Sequence, residues 1–306
     1  MSSPRVFKEL TILSLLCLII AYPYISDNFF SSNPDRKYFQ KNDEWMRNSY
    51  WFEGKAEINF YKATILKYGI PREADEVVHI LVTEKHKPDL LVKADNWREE
   101  GLIDMLKFNY VRRFQTGIYS YREMMSVFFE QNNLRLAKMT FSSQEWCGQS
   151  FKELVNFRGK SSFYFNTYWD GQGRGSFNVS FPQDIFLYDA LSVQLRMFEF
   201  VKGEAREIQL LASQISSRVQ KPEISNATVN LIKSETINVP AGSFACKLIE
   251  VSHSEGIDLF WFEPDFPQRM IKWNTFSQDT YELLDSKNLA YWELNKPGGE
   301  KYLPGS

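Results

Sequence analysis

Acid–base and imidazole-ligand chemistry has three candidates in this chain, His79, His86 and His253. No two stand three or four residues apart, the spacing that sets two ligands on one helix face. A zinc site would therefore have to assemble from distant strands, for instance one histidine with Cys147 and Cys246. Scattered histidines sit more often singly on strands and loops, so no metal or cofactor is expected. Carboxylates pair at Glu99 with Glu100 and at Glu263 with Asp265, the raw material of a two-carboxylate glycosidase. The first pair belongs to a polar loop around Trp97, where a solvated face is the simpler reading. The second flanks Pro264 in a tight turn, where Asp commonly accepts from nearby backbone amides. The sequence has no G-x-S-x-G elbow, H-E-x-x-H helix, P-loop or dinucleotide fingerprint, and no catalytic residue is assigned.

Aromatic residues are the stronger signal. With 25 Phe, 15 Tyr and 8 Trp, the composition suits half-buried pleated surfaces. Trp51, Trp146, Trp169, Trp261 and Trp273 fall on or beside expected strands and are the candidate ligand-binding set, in which an aromatic-lined face would take a lipid chain, a hydrophobic peptide or a sugar ring. Ordinary core packing explains the same residues. The 36 basic and 38 acidic side chains are well mixed, which leaves no basic stripe for phosphates and argues against nucleic acid.

Arg5 and Lys8 precede an apolar run over 10–20, the order of a secretory signal or N-terminal membrane anchor covering 1–25. Asp27 and Asp35 follow it, so positive-inside reasoning puts the rest of the chain outside the cytoplasm, in the periplasm or outer cell envelope. Cys17 lies within the run, which leaves Cys147 and Cys246 as an even pair in an oxidising compartment and a candidate disulfide. Residues 26–44 read as a linker and 45–306 as a β-rich extracytoplasmic domain. Period-two alternation marks strands over 56–68, 77–83, 106–114, 136–143, 149–157 and 161–168, and Asp170 to Gly173 turn the last into 176–181. Residues 118–129 fit neither period. Over 183–201, Ile185, Tyr188, Leu191, Leu195 and Phe198 recur at three and four residues and predict one main amphipathic helix. Strands resume at 207–215, 228–239, 245–253, 257–262, 269–273 and 280–284, an antiparallel meander.

Val239, Pro240, Ala241, Gly242, Phe244 and Cys246 form a turn and strand start, followed by Trp261, Phe262, Glu263, Pro264, Asp265 and then Arg269, Ile271 and Trp273. This order resembles the C-terminal meander of exported bacterial β proteins of the DUF3108 kind. Lys93 to Asn96, Thr116 to Tyr119 and Glu145 to Gly148 also resemble such exported proteins, so the likeness covers most of the chain after residue 50. It implies a fold similar to the half-open barrel of the periplasmic lipoprotein carriers and brings no catalytic residues. The expected fold is thus mainly β, a strongly curved antiparallel sheet (half-open barrel or clam) with one main helix and the N-terminal segment. The expected function is a non-catalytic cell-envelope protein binding an apolar or amphipathic ligand, or a partner protein, in a concave aromatic-rich face. An enzyme acting on envelope glycans or lipids, and an interaction module without ligand, are the alternatives. The membrane itself is a partner through the N-terminal segment.

Overall fold

Alternating burial builds nearly every element of this chain, because one side chain in two must leave water when strands pair. The structure, a computed structural model, describes residues 42–305. The expected segment 1–25, Cys17 and linker residues 26–41 lie outside the described residues. Asn42 accepts from the backbone N–H of Trp45 at 3.0 Å and so caps a helix, Asp43–Arg47. Asp43 and Glu44, at the end of the expected linker 26–44, form the first turn of this helix.

The strands are β1 (Ala56–Lys67), β2 (Ile70–Lys87), β3 (Val92–Lys93), β4 (Ile103–Thr116), β5 (Tyr119–Glu130), β6 (Leu136–Glu145), β7 (Gly148–Phe157), β8 (Lys160–Asn166), β9 (Arg174–Phe177), β10 (Phe186–Leu187), β11 (Arg206–Leu211), β12 (Ile224–Val239), β13 (Gly242–His253), β14 (Gly256–Phe262), β15 (Met270–Asn274) and β16 (Thr280–Leu289). They form one mainly antiparallel sheet in the order β10-β11-β12-β13-β14-β15-β16-β1-β2-β4-β5-β6-β7-β8-β9, with β3 on the side of β2. The path is open, β9 and β10 standing at its ends, and β16 joins the two meanders by pairing with β1 from Ala56↔Leu289 to Thr64↔Thr280. Tight turns fix the register: Tyr68 and Gly69 have φ 56 and 71, and Arg158 and Gly159 have φ 48 and 77, the left-handed pairs that two-residue hairpins require.

Register lines side chains into rows on one face. His79, Tyr110, Met125, Phe141 and Lys152 stand opposite one another across β2, β4, β5, β6 and β7. Beside them run Val77, Arg112, Glu123, Ser143 and Ser150. In the other half, Phe260, Trp273 and Tyr281 align across β14, β15 and β16.

Residues 185–198 lie against this face and are buried throughout. They do not make the expected single helix. Only Leu191–Gln194 is α-helical, between 3-10 turns at Tyr188–Ala190 and Leu195–Met197. A segment enclosed on every side has no solvent face, so its three-and-four spacing of apolar residues was not an amphipathic stripe. No helix of the described residues is long and apolar enough to cross a membrane.

Candidate functional site

The face under residues 185–198 is where buried polar chemistry concentrates. Arg196 reaches down from that segment onto β1: its Nη1 and Nη2 donate to Glu57 Oε1 and Oε2 at 2.8 and 2.9 Å. Its Nε and Nη2 also donate to the Pro267 carbonyl in the β14–β15 turn, at 3.0 and 2.7 Å. The rings of Trp45 and Trp51 lie 5.3 and 5.7 Å from the guanidinium carbon. Bidentate pairing plus two aromatic faces is the environment that suits a guanidinium in a dry interior.

Asp258 on β14 is fully buried and accepts three hydrogen bonds, from Tyr188 Oη at 2.8 Å, Trp273 Nε1 at 2.9 Å and His253 Nε2 at 2.6 Å. The Glu255 backbone N–H donates to His253 Nδ1 at 3.3 Å, which leaves Nε2 as the donor to Asp258. Next along the buried segment, Asp189 accepts from Ser213 Oγ and the Gln214 N–H at 2.5 and 2.6 Å. Burial pushes its carboxyl up to about 6 against those two bonds. Lys152 on β7 donates to the Gln214 carbonyl at 2.9 Å, and burial brings its ammonium down to about 8. Arg112 and Glu123 face each other across β4 and β5, with Nε to Oε2 at 2.5 Å, and Ser143 Oγ reaches the other carboxylate oxygen at 3.5 Å. Each buried carboxylate here already accepts from fixed donors of its own chain, the arrangement of a structural network. Among the described residues, no three of His, Cys, Asp and Glu gather as a metal's donor set.

The expected tryptophan face is not assembled. Trp273 is core, stacked between Phe260 and Tyr281 with ring centroids 5.0 Å from each. Trp261, one residue beyond Phe260, points to the opposite face and donates to Glu235 at 2.9 Å. Trp51 is buried in the Ser49–Phe52 turn, donating to the Trp45 carbonyl at 2.8 Å. Trp146 and Trp169 stand in the β6–β7 and β8–β9 turns. The candidate disulfide is corrected as well: Cys147, exposed in the β6–β7 turn, and Cys246, buried on β13, are free thiols. Of the histidines, His79 is buried among Tyr61, Phe108 and Tyr110 with Nε2 unpartnered, and burial holds its imidazole down to about 3. His86 lies near Glu84, Nε2 to Oε2 at 3.4 Å. Glu57, Arg196, Asp189 and Asp258 escaped the sequence reading; the signal available was an Asp and an Arg, the two charged residues of a largely apolar stretch at 185–198.

A different surface forms where the hairpins turn. In an antiparallel meander alternate turns share one end, so the β1–β2, β4–β5, β6–β7 and β8–β9 turns lie together. Each carries an exposed large apolar or aromatic residue: Tyr68 is 63% exposed, Ile118 80%, Trp146 72% and Tyr168 61%. Ring contacts link them in part: Tyr68 to Tyr121 at 6.5 Å, Tyr121 to Tyr119 at 6.0 Å and Tyr119 to Trp146 at 6.3 Å. A Cβ on Gly148 would come 2.5 Å from Tyr168, so glycine there lets that ring lie against β7. Lys67 Nζ lies 4.3 Å over the Tyr121 ring.

No family model matches the chain. No curated protein matches it either. Among solved structures it is similar to a DUF1089 family protein from Pseudomonas aeruginosa, with 13% identity and a TM-score of 0.36 over 54% of this chain and 82% of that one. A likeness of that size assigns neither fold nor function.

Proposed function

We propose that this chain is a non-catalytic cell-envelope protein that acts through its outer surface on a partner, its sheet bent into a half-open barrel around its own residues 185–198. One observation carries the reading: the aromatic face that would receive a ligand is covered by the chain's own segment 185–198, buried at every residue. Curvature is supported by bonds from β7 to the segment after β11, Ser150 Oγ to the Ser217 carbonyl and Lys152 Nζ to the Gln214 carbonyl, at 2.5 and 2.9 Å. In a flat sheet the eleven strand spacings between β11 and β7 would hold them about 50 Å apart. The half-open barrel is also what the resemblance of residues 239–273 to DUF3108-like proteins implies. Export rests on the apolar run at 10–20 and its flanking charges.

A second reading has an amphipathic ligand displace the buried segment. Ser192 Oγ and His79 Nε2, buried without hydrogen-bond partners, favour it, since each unmet group costs about 1–3 kcal/mol that a ligand could recover. Native mass spectrometry of the full chain, released from membranes, separates the two. The first reading expects the bare mass. A reproducible added mass that leaves on unfolding would replace it with the second.

A further inference from the structure

We propose that the hairpin ends form a membrane contact of their own, in which Tyr68, Ile118, Trp146 and Tyr168 enter the headgroup layer of a lipid bilayer. This rests on the envelope reading above and names its partner. The residue types fit that layer: tyrosine and tryptophan settle where one side of the ring is apolar and the other wet, and a lysine alongside reaches back to the phosphates. Lys67 stands in that relation to Tyr121 and Tyr68, its Nζ 4.3 and 5.5 Å from the two rings.

Shape and tether both select a bilayer over a folded protein. The four side chains stand on separate turns, each 61–80% exposed, and the concavity at Tyr168 is confined to its own β8–β9 turn, Tyr168 to Gly173, so they meet a partner as four separate points. A protein partner would need a complementary pit for every one, whereas a fluid headgroup layer accepts them singly. The chain supplies the proximity. Its apolar run ends at residue 20, and residues 21–41 between it and the domain extend to about 70 Å at most. The fourteen residues of β4 span only about 46 Å. The tether is therefore long enough for the hairpin ends to meet the same bilayer that holds the run.

The test puts the full chain in phosphatidylcholine vesicles whose acyl chains are brominated near the headgroup, a quencher that acts on contact. The fluorescence difference between the full chain and its Trp146→Phe variant isolates Trp146. The proposal expects Trp146 to be quenched by bromolipid, to be shielded from aqueous iodide, and to stay so at high salt, because the contact is mainly apolar. Ile118→Asp should lower the Trp146-specific quenching about tenfold and Ile118→Leu should preserve it. Ile118 is exposed, so both variants keep the fold, which near-UV circular dichroism checks. Trp146 that stays open to iodide and untouched by bromolipid overturns the bilayer contact while a bare native mass leaves the surface-acting reading standing. An added mass in the spectrum overturns that reading whatever Trp146 does.

Discussion

Two buried arginine–glutamate pairs hold this sheet in opposite ways. Arg196 and Glu57 are 139 residues apart and tie a separate segment onto β1, with Pro267 of a third element sharing the guanidinium. Arg112 and Glu123 are 11 residues apart and face each other across one hairpin, beside a groove of about 380 Å³ on the β2, β4, β5 and β6 surface. The first pair depends on tertiary structure and is sealed from water. The second is set by local register and lies near solvent. A buried ion pair contributes little when intact, yet removing one partner strands the other, and the penalty grows with how dry the site is.

The largest expected effect is therefore at Arg196. Arg196→Met takes the paired cation from the buried Glu57 carboxylate, which keeps the neutral donors Asn59 Nδ2 and Tyr50 Oη, and leaves the Pro267 carbonyl with Trp45 Nε1; it should lower stability by about 3–5 kcal/mol in urea unfolding. Adding Glu57→Met should return much of that loss, and a double variant no better than the single would show that the pair is not the cause.

Next comes Asp189, which lies in the same segment as Arg196 but feels Arg112 and Lys152. Its folded value, about 6, is above its ordinary value of 3.8, so the folded state holds the proton more tightly. That contribution is fully present below about pH 4 and is lost as pH rises through 6, on the order of 3 kcal/mol. Asp189→Asn should flatten the pH–stability curve between pH 4 and 6; an unchanged slope there would assign it to other groups.

Glu123→Gln should cost less, about 1–2 kcal/mol, because Arg112 keeps an acceptor and water can approach through the groove. A loss as large as that at Arg196 would erase the contrast between the pairs. Lys152→Met should change stability by under about 1 kcal/mol: the Gln214 carbonyl keeps the Ser216 N–H as a donor, and a buried ammonium no longer needs to be dehydrated.

Most strands were legible because local alternation is enough to announce them. β7, β8 and β11 to β16 overlap the strands that period two placed, some starting earlier or running longer, while β8 stops at Asn166 instead of 168 and β11 at Leu211 instead of 215. β5 hid because it breaks its own pattern: Glu123 occupies a buried position while Met124 and Phe128 face outward. The 185–198 segment was misread for the opposite reason, since Asp189, Gln194 and Arg196 mimic a polar face although all three are buried. The polar network itself was illegible. Glu57 meets Arg196, and Tyr188 meets Asp258, across 139 and 70 residues, and no spacing rule reaches so far. The five tryptophans divide between the core, the opposite sheet face and the turns, and sequence order could not sort them, because Phe260 and Trp261 are neighbours in sequence and back to back in the sheet.

The capped helix at Asp43–Arg47 has a mechanical meaning. The Asn42 N–H donates to the Met197 carbonyl at 2.7 Å, and Trp45 Nε1 donates to the Pro267 carbonyl at 3.0 Å. A pull on the chain ahead of Asn42 does not begin by peeling a strand from the sheet. It loads the end of the buried segment and the β14–β15 turn at once, the two points that Arg196 already rivets together, so tension entering at Asn42 is shared between two elements before any strand pair has to part.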